Sequence, residues 1–250
     1  MKRLFSLGLV VLAAVLVFLT LRDQPPQVAI LGGKATAMQA DGDMYLAGLT
    51  LVNVGGPDVL LGATSPTGAQ VTLMNPAAPD APLAIPGGSM AILARDGAHM
   101  MVQAGDAEPG SFIPVTLNFR EAGEVATRLE VAQGAPMVHD MTGGVSETPS
   151  PTVQIVPVTA PSADGFEITL DTTNFTFLRE ENGAPHVPGE GHGHLYLNGL
   201  KLDRLYEPTT QIGALDPGTY TLMVSLNTHE HDPYVDDGGQ VSSSLTFTIP

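Results

Sequence analysis

His99, Met100 and Met101 close an otherwise apolar run in a chain that has no cysteine. On a β-strand, residues i and i+2 leave the same face, so His99 and Met101 present an imidazole and a thioether side by side. Imidazole suits copper among other metals, and a soft thioether selects Cu(I) over harder cations. Met137, His139 and Met141 repeat the combination. His186, His192, His194, His229 and His231 complete the seven histidines. The chain therefore has the pattern of a copper-handling protein. Each cluster also has a plainer reading. Methionine in an apolar strand is ordinary core filler, and histidine near a turn is ordinary rim. Met137 and Met141 are harder to explain that way, because they lie in a Gly/Pro-rich stretch with no core to fill.

The elements that must position these residues are strands. Charged residues make up 14% of the 250 positions and aromatics 5%, with 28 glycines and 21 prolines. Few charges and frequent turn residues favour an all-β chain. The formal charge of −16 argues against nucleic acid and anionic membrane surfaces as partners. The absence of cysteine excludes disulfides, thiolate zinc sites and a lipoprotein cysteine anchor.

Lys2 and Arg3 precede an uncharged apolar run, Leu4 to Leu21, in the charged-then-apolar layout of a secretory signal. The run is near the shortest length that spans a bilayer. No small-x-small cleavage site follows closely, so the expectation is an uncleaved inner-membrane anchor with the body on the periplasmic side. A cleaved signal would leave a soluble periplasmic protein.

The body divides in two. From Val28 to Val131, short apolar runs alternate with turn signals such as Gly55-Gly56-Pro57 and Pro86-Gly87-Gly88. This spacing indicates a sandwich or barrel. Residues 132–151 form a Met/His-containing linker without strand periodicity. Residues 152–250 return to strand patterns (VQIVPV, FEITLD, YTLMVSLN, SSLTFTI) over a length that suits an immunoglobulin-like sandwich. The expected organisation is a signal or anchor at 1–27 and β-sandwiches at 28–131 and 152–250.

Several motifs in residues 28–131 occur in a telling order: Met44 to Val54 followed by Gly55-Gly56-Pro57-Asp58, then Val71-Thr72-Leu73, Ile85-Pro86-Gly87-Gly88, Ala98-His99-Met100-Met101, and Pro114 to Phe119. This series resembles the periplasmic copper chaperones of the PCuAC type, which implies a cupredoxin-like sandwich and a copper-binding His-x-Met at His99 and Met101. The resemblance is incomplete. Met74 stands where the family carries its first ligand histidine, and the loop from Asn75 to Pro82 holds no methionine. Met74, His99 and Met101 would make a three-coordinate Cu(I) set, to which Met44, Met90 or Met100 could add a sulfur. The alternative is a domain that keeps the fold without copper. The Met137, His139 and Met141 segment is similar to the Met/His-rich tails of these chaperones.

In the second segment, His192 and His194 leave one face if Gly191 to Leu197 is a strand, and His229 and His231 repeat the H-x-H spacing. The segment is similar to small secreted bacterial domains with G-H-x-H and a His-rich turn. Two such pairs on neighbouring strands would converge, and imidazoles suit Cu(II), Zn or Ni. Their binding would fade near the ordinary imidazole pKa of about 6.5. No nucleophile elbow, P-loop or His-Glu-x-x-His motif supports an enzyme. The expectation is a non-enzymatic copper chaperone that serves a copper-accepting envelope protein such as a cuproenzyme. The competing expectation is a structural or adhesive envelope sandwich with incidental histidines.

Overall fold

A computed structural model describes residues 27–37, 43–132, 143–179 and 185–250. These residues are all-β, as the composition implied, and none of their elements is a helix long and apolar enough to cross a membrane. The Leu4–Leu21 run, Met137, His139 and Met141 lie outside the described residues.

The first domain holds β1 (Val28–Ala37), β2 (Met44–Asn53), β3 (Asp58–Thr64), β4 (Gln70–Met74), β5 (Leu83–Ile85), β6 (Met90–Leu93), β7 (His99–Gln103), β8 (Phe112–Phe119) and β9 (Glu124–Val131). β2 is its axis, and its burial alternates strictly, with Tyr45, Ala47, Leu49 and Leu51 inward. One edge of β2 pairs with β1. The other edge is shared: β6 takes Leu49–Val52 and β7 takes Met44–Ala47. Residues Ala94 to Ala98 leave the sheet between these two pairings as a short loop, closed by Ala94 N–H to Ala98 O (2.8 Å) and Gly97 N–H to Ala94 O (3.0 Å). Gly48 is required where β2 passes this break, because a Cβ there would lie 2.4 Å from Leu93 O.

The second domain holds β10 (Thr152–Pro157), β11 (Phe166–Thr173), β12 (Thr176–Phe177), β13 (Glu190–Leu197), β14 (Leu200–Leu205), β15 (Thr209–Ile212), β16 (Gly218–Asn227), β17 (Val235–Asp236), β18 (Gly239–Gln240) and β19 (Ser242–Ile249). One sheet runs β19-β16-β13-β14, and β10-β11-β15 form another. Leu195, Leu197, Leu222 and Val224 on the first pack with Ile155, Phe166, Ile168 and Leu170 on the second in one apolar core.

The two domains are joined through backbone. β14 pairs with β6 at Lys201 and Ile92, so the sheets of both domains are continuous. Ala98 N–H donates to Gly199 O (2.9 Å), Gly87 N–H to Ala214 O (2.8 Å), and Asn75 Nδ2 to Asn198 O (2.8 Å). Arg120 pairs with Asp216 at the surface. The loop at Ala94–Ala98 is thereby seated on the β13–β14 turn.

Candidate metal centres

Two sets of metal-type ligands flank the Ala94–Ala98 loop. The first is on β7 and β4. The register places Met74 directly across from His99, with Thr72 across from Met101. Directly opposed residues share a face, so Met74, His99 and Met101 all project to the outer side. Met74 is exposed, His99 is buried and Met101 is half-buried. The ring of His99 is fixed by Nδ1, which lies 2.9 Å from Gly97 O. A carbonyl oxygen only accepts, so Nδ1 carries the proton and Nε2 keeps its lone pair, the tautomer that a metal ligand needs. Met100 turns the other way and is fully buried in the core beside Val102. It is therefore packing and supplies no fourth sulfur. Met44 lies on the Met101 face, since Met44 opposes Gln103 and Leu46 opposes Met101.

The second set is at the end of β13. His192, His194 and Tyr196 alternate with Gly193, Leu195 and Leu197, so the polar side chains share the face turned away from the apolar core. Two glycines make the stretch possible. Gly191 passes so close to β16 that a Cβ would lie 2.0 Å from Asn227 O. Gly193, on the core side, leaves room for Leu205, Val224 and Phe177. β16 ends at Asn227, and the chain folds back: Thr228 N–H donates to Asp232 O (2.9 Å), and Asn227 Nδ2 to His231 O (3.2 Å). This turn lays His231 over His192. His231 takes a left-handed backbone conformation (φ 72°), unusual for a residue other than glycine, asparagine or aspartate.

His192 Nε2 is 2.9 Å from both His194 Nε2 and His231 Nδ1, and the three nitrogens lie within 4.8 Å of one another. His192 and His194 are buried and His231 is exposed. His229 stays out of this cluster. The expected same-face pairing of His229 and His231 requires a strand, and both lie in the turn beyond β16. His229 Nε2 is buried without a hydrogen-bond partner. His186 is apart as well, with Nε2 2.7 Å from Glu147 Oε1.

Sequence reasoning missed the groups behind the cluster. Asp96, from the Ala94–Ala98 loop, places Oδ2 3.1 Å from His194 Nδ1 and 2.6 Å from Lys201 Nζ, and accepts from Tyr196 Oη at 3.1 Å. Lys201 Nζ is also 3.0 Å from His194 Nδ1. Lys201 only donates and Asp96 only accepts, so Nδ1 either accepts from Lys201 or donates to Asp96, and in the second tautomer His194 Nε2 is bare toward His192. Burial works against ionising Asp96, but its hydrogen bonds with His194 and Lys201 and the charge of Lys201 overcome it and hold the carboxyl well below the usual range. Burial pushes His192 down to about 2, helped by the neighbouring histidines and Arg204. It lowers His194 against the opposing pull of Asp96, and pushes His231 down to about 4, with Arg204 adding to it. All three imidazoles are therefore neutral at pH 7 and have lone pairs to give. The pH near 6.5 expected for loss of ligation is moved downward by this burial.

Residues 28–131 match the LpqE-like lipoprotein family. No curated protein matches the chain. Among solved structures, the copper-bound PCuAC domain from PmoF2 is similar at 25% identity, over 45% of this chain and 96% of that domain, with a TM-score of 0.38. The Cu(I) form of DR1885 from Deinococcus radiodurans is similar at 23% identity, over 45% of this chain and 83% of that one, with a TM-score of 0.35. Red sea bream transglutaminase is similar at 13% identity across 92% of this chain and 32% of that one, with a TM-score of 0.26. The 250 residues offer no cysteine on which a lipoprotein's thioether-linked lipid could form.

Proposed function

We propose that this protein is a copper chaperone of the bacterial cell envelope, which holds Cu(I) on its first domain and passes it to a copper-accepting protein. The observation that carries this reading is the presentation of His99. Its proton is held on Nδ1 by Gly97 O, its Nε2 keeps a lone pair, and Met74 and Met101 share its face. One imidazole and two thioethers suit Cu(I) and disfavour harder ions. Cu(I) is cargo in this reading, and the exposed Met74 and half-buried Met101 give it a way to leave. The family match over residues 28–131 and the resemblance to the PCuAC-type chaperones point the same way. Met137, His139 and Met141 would add a second Cu(I)-holding segment in the linker. Leu4–Leu21 would export the body and anchor it on the periplasmic side of the membrane. No catalytic step is assigned.

A Cu(I) titration against a competing chelator tests the reading. His99→Ala and Met101→Leu each weaken Cu(I) binding, and their combination abolishes the first-domain site. Equal affinities in the wild type and the double variant would refute it. An adhesive envelope sandwich with incidental histidines would show no stoichiometric copper in the same titration.

A further inference from the structure

The three-imidazole cluster is a separate matter, and one cation would satisfy its three facing nitrogens together. His192 Nε2 is one sp² nitrogen with one in-plane direction, holding either a proton or a lone pair. Two imidazole nitrogens approach it at 2.9 Å, from His194 and from His231. A single N–H cannot point at both, and a single lone pair cannot accept well from both. With each facing nitrogen unprotonated, the three rings present their lone pairs within 4.8 Å of one another, a set that one metal ion would take up.

The spacing bears on which ion. With metal–nitrogen bonds of about 2.0–2.1 Å, neighbouring ligands at a tetrahedral ion stand about 3.3 Å apart, and at a right-angled corner about 2.9 Å apart. The two 2.9 Å separations around His192 bring the rings close enough to be neighbouring ligands of one ion, and of the divalent ions that imidazole suits, Cu(II) is bound most strongly. An all-imidazole set is also harder than the Met/His set on β4 and β7, so the two centres would sort copper by oxidation state. The chain backbone is strained at the place that matters, since His231 holds a left-handed φ of 72° to bring its ring over His192.

The outer partner comes from the other domain. Metal-bound histidines ordinarily donate their second N–H to a carboxylate or carbonyl, which fixes the ring and raises its basicity. Asp96 Oδ2, 3.1 Å from His194 Nδ1, stands where it would do this for His194 with a metal bound, and Lys201, buried to 3% exposure, holds Asp96 in place. Arg204 lies directly across from His194 in the β13–β14 register and puts positive charge beside all three rings. A fourth ligand arriving on the exposed His231 side is therefore favoured if it is an anion or an ionised water.

We propose that His192, His194 and His231 form a second metal site, selective for Cu(II), and that the first domain completes it by orienting His194 through Asp96. This goes beyond Cu(I) delivery and does not depend on it. The test uses the full chain carrying His99→Ala and Met101→Leu, so that the first-domain set is silent. Cu(II) is titrated against a chelator at pH 7 and the bound ion is read by electron paramagnetic resonance. One Cu(II) per chain is expected, with a tetragonal signal coupled to three imidazole nitrogens. His192→Ala and His194→Ala should each weaken binding by at least about 100-fold. His231→Gly should do the same with the sheets unaltered, so that misfolding cannot account for the loss. Asp96→Asn should weaken binding by about 10–100-fold while the signal keeps its three nitrogens. Unchanged affinity in His231→Gly would overturn the site. Unchanged affinity in Asp96→Asn would overturn the role of the first domain.

Discussion

His231→Gly separates stability from metal binding, because the backbone and the ring of this residue work against each other. The left-handed conformation at φ 72° costs a non-glycine residue about 1–2 kcal/mol, and glycine adopts it freely. Against that gain, glycine loses about 0.5–1 kcal/mol more backbone entropy on folding. Removing the ring also forfeits its edge-on contact with His192, at 4.7 Å between centroids, for about 0.5–1.5 kcal/mol. These amounts nearly cancel, so the metal-free variant should be as stable as the parent to within about 1 kcal/mol. With Cu(II) free at about 100 times its dissociation constant, the parent gains about 2.7 kcal/mol. At about 2–4 °C per kcal/mol for a chain of this size, its Tm should rise by roughly 5–11 °C, and the variant's should not. Calorimetry on both proteins in the His99→Ala background, with and without Cu(II), measures the difference. A metal-free variant destabilised by more than about 2 kcal/mol would show that the His231 turn is structural. A variant that kept the Cu(II) shift would show that the ring is not a ligand.

The same geometry sets other expectations. The folded-state pKa values of His192 and His231, about 2 and about 4, lie below the unfolded value of about 6.5, so the unfolded chain binds more protons between them. Metal-free stability should therefore be full above pH 6.5 and fall as pH drops from there. Denaturant melts at pH 7 and pH 5 check this, and equal midpoints would refute it. Cu(II) should still bind at pH 5.5, where a free imidazole is mostly protonated; loss of binding there would mean the rings are not held neutral. Gly191→Ala would set a Cβ 2.0 Å from Asn227 O, push β13 from β16 and cost on the order of 1–3 kcal/mol along with Cu(II) binding. Tolerance of that alanine in a thermal melt would show the strands are not so closely held. Met100→Ala should cost about 2–5 kcal/mol by opening a core cavity and leave Cu(I) affinity unchanged, the reverse of Met101→Leu; a drop in Cu(I) affinity for Met100→Ala would return it to the ligand set.

The strands were legible because their signals are local. Alternation along Met44–Asn53 and turn residues such as Gly55-Gly56-Pro57 need only a dozen neighbours to be read. His99 and Met101 were legible for the same reason, as two positions on one strand. The His192 and His194 pair follows the period-2 rule, and the structure does place both on one face. The rule gave the wrong geometry two and four residues past the end of β16, where His229 and His231 lie in a turn that only His231 uses to reach the cluster. Asp96 was not legible at all. It is one of 26 acidic residues, about a hundred positions from the histidine it orients, and it arrives there because β6 and β7 divide one edge of β2 and force the chain between them outward.

That arrangement also bears on why the domain contact is polar. Lys201 is almost fully buried, and Asp96 with His194 is its means of keeping a charge there. Buried ion pairs seldom stabilise a protein more than apolar residues of the same volume would, since desolvation offsets most of the attraction. A contact selected only to hold two sandwiches together would do better with leucines, as the neighbouring core of Leu195, Leu197 and Leu200 does. What apolar residues cannot do is fix which nitrogen of His194 carries the proton. Asp96 and Lys201, which both meet His194 at Nδ1, set it between them. The polar contact is thus accounted for by the histidine it orients rather than by the stability it adds. A separated second domain would keep all three imidazoles but lose the group that aims one of them.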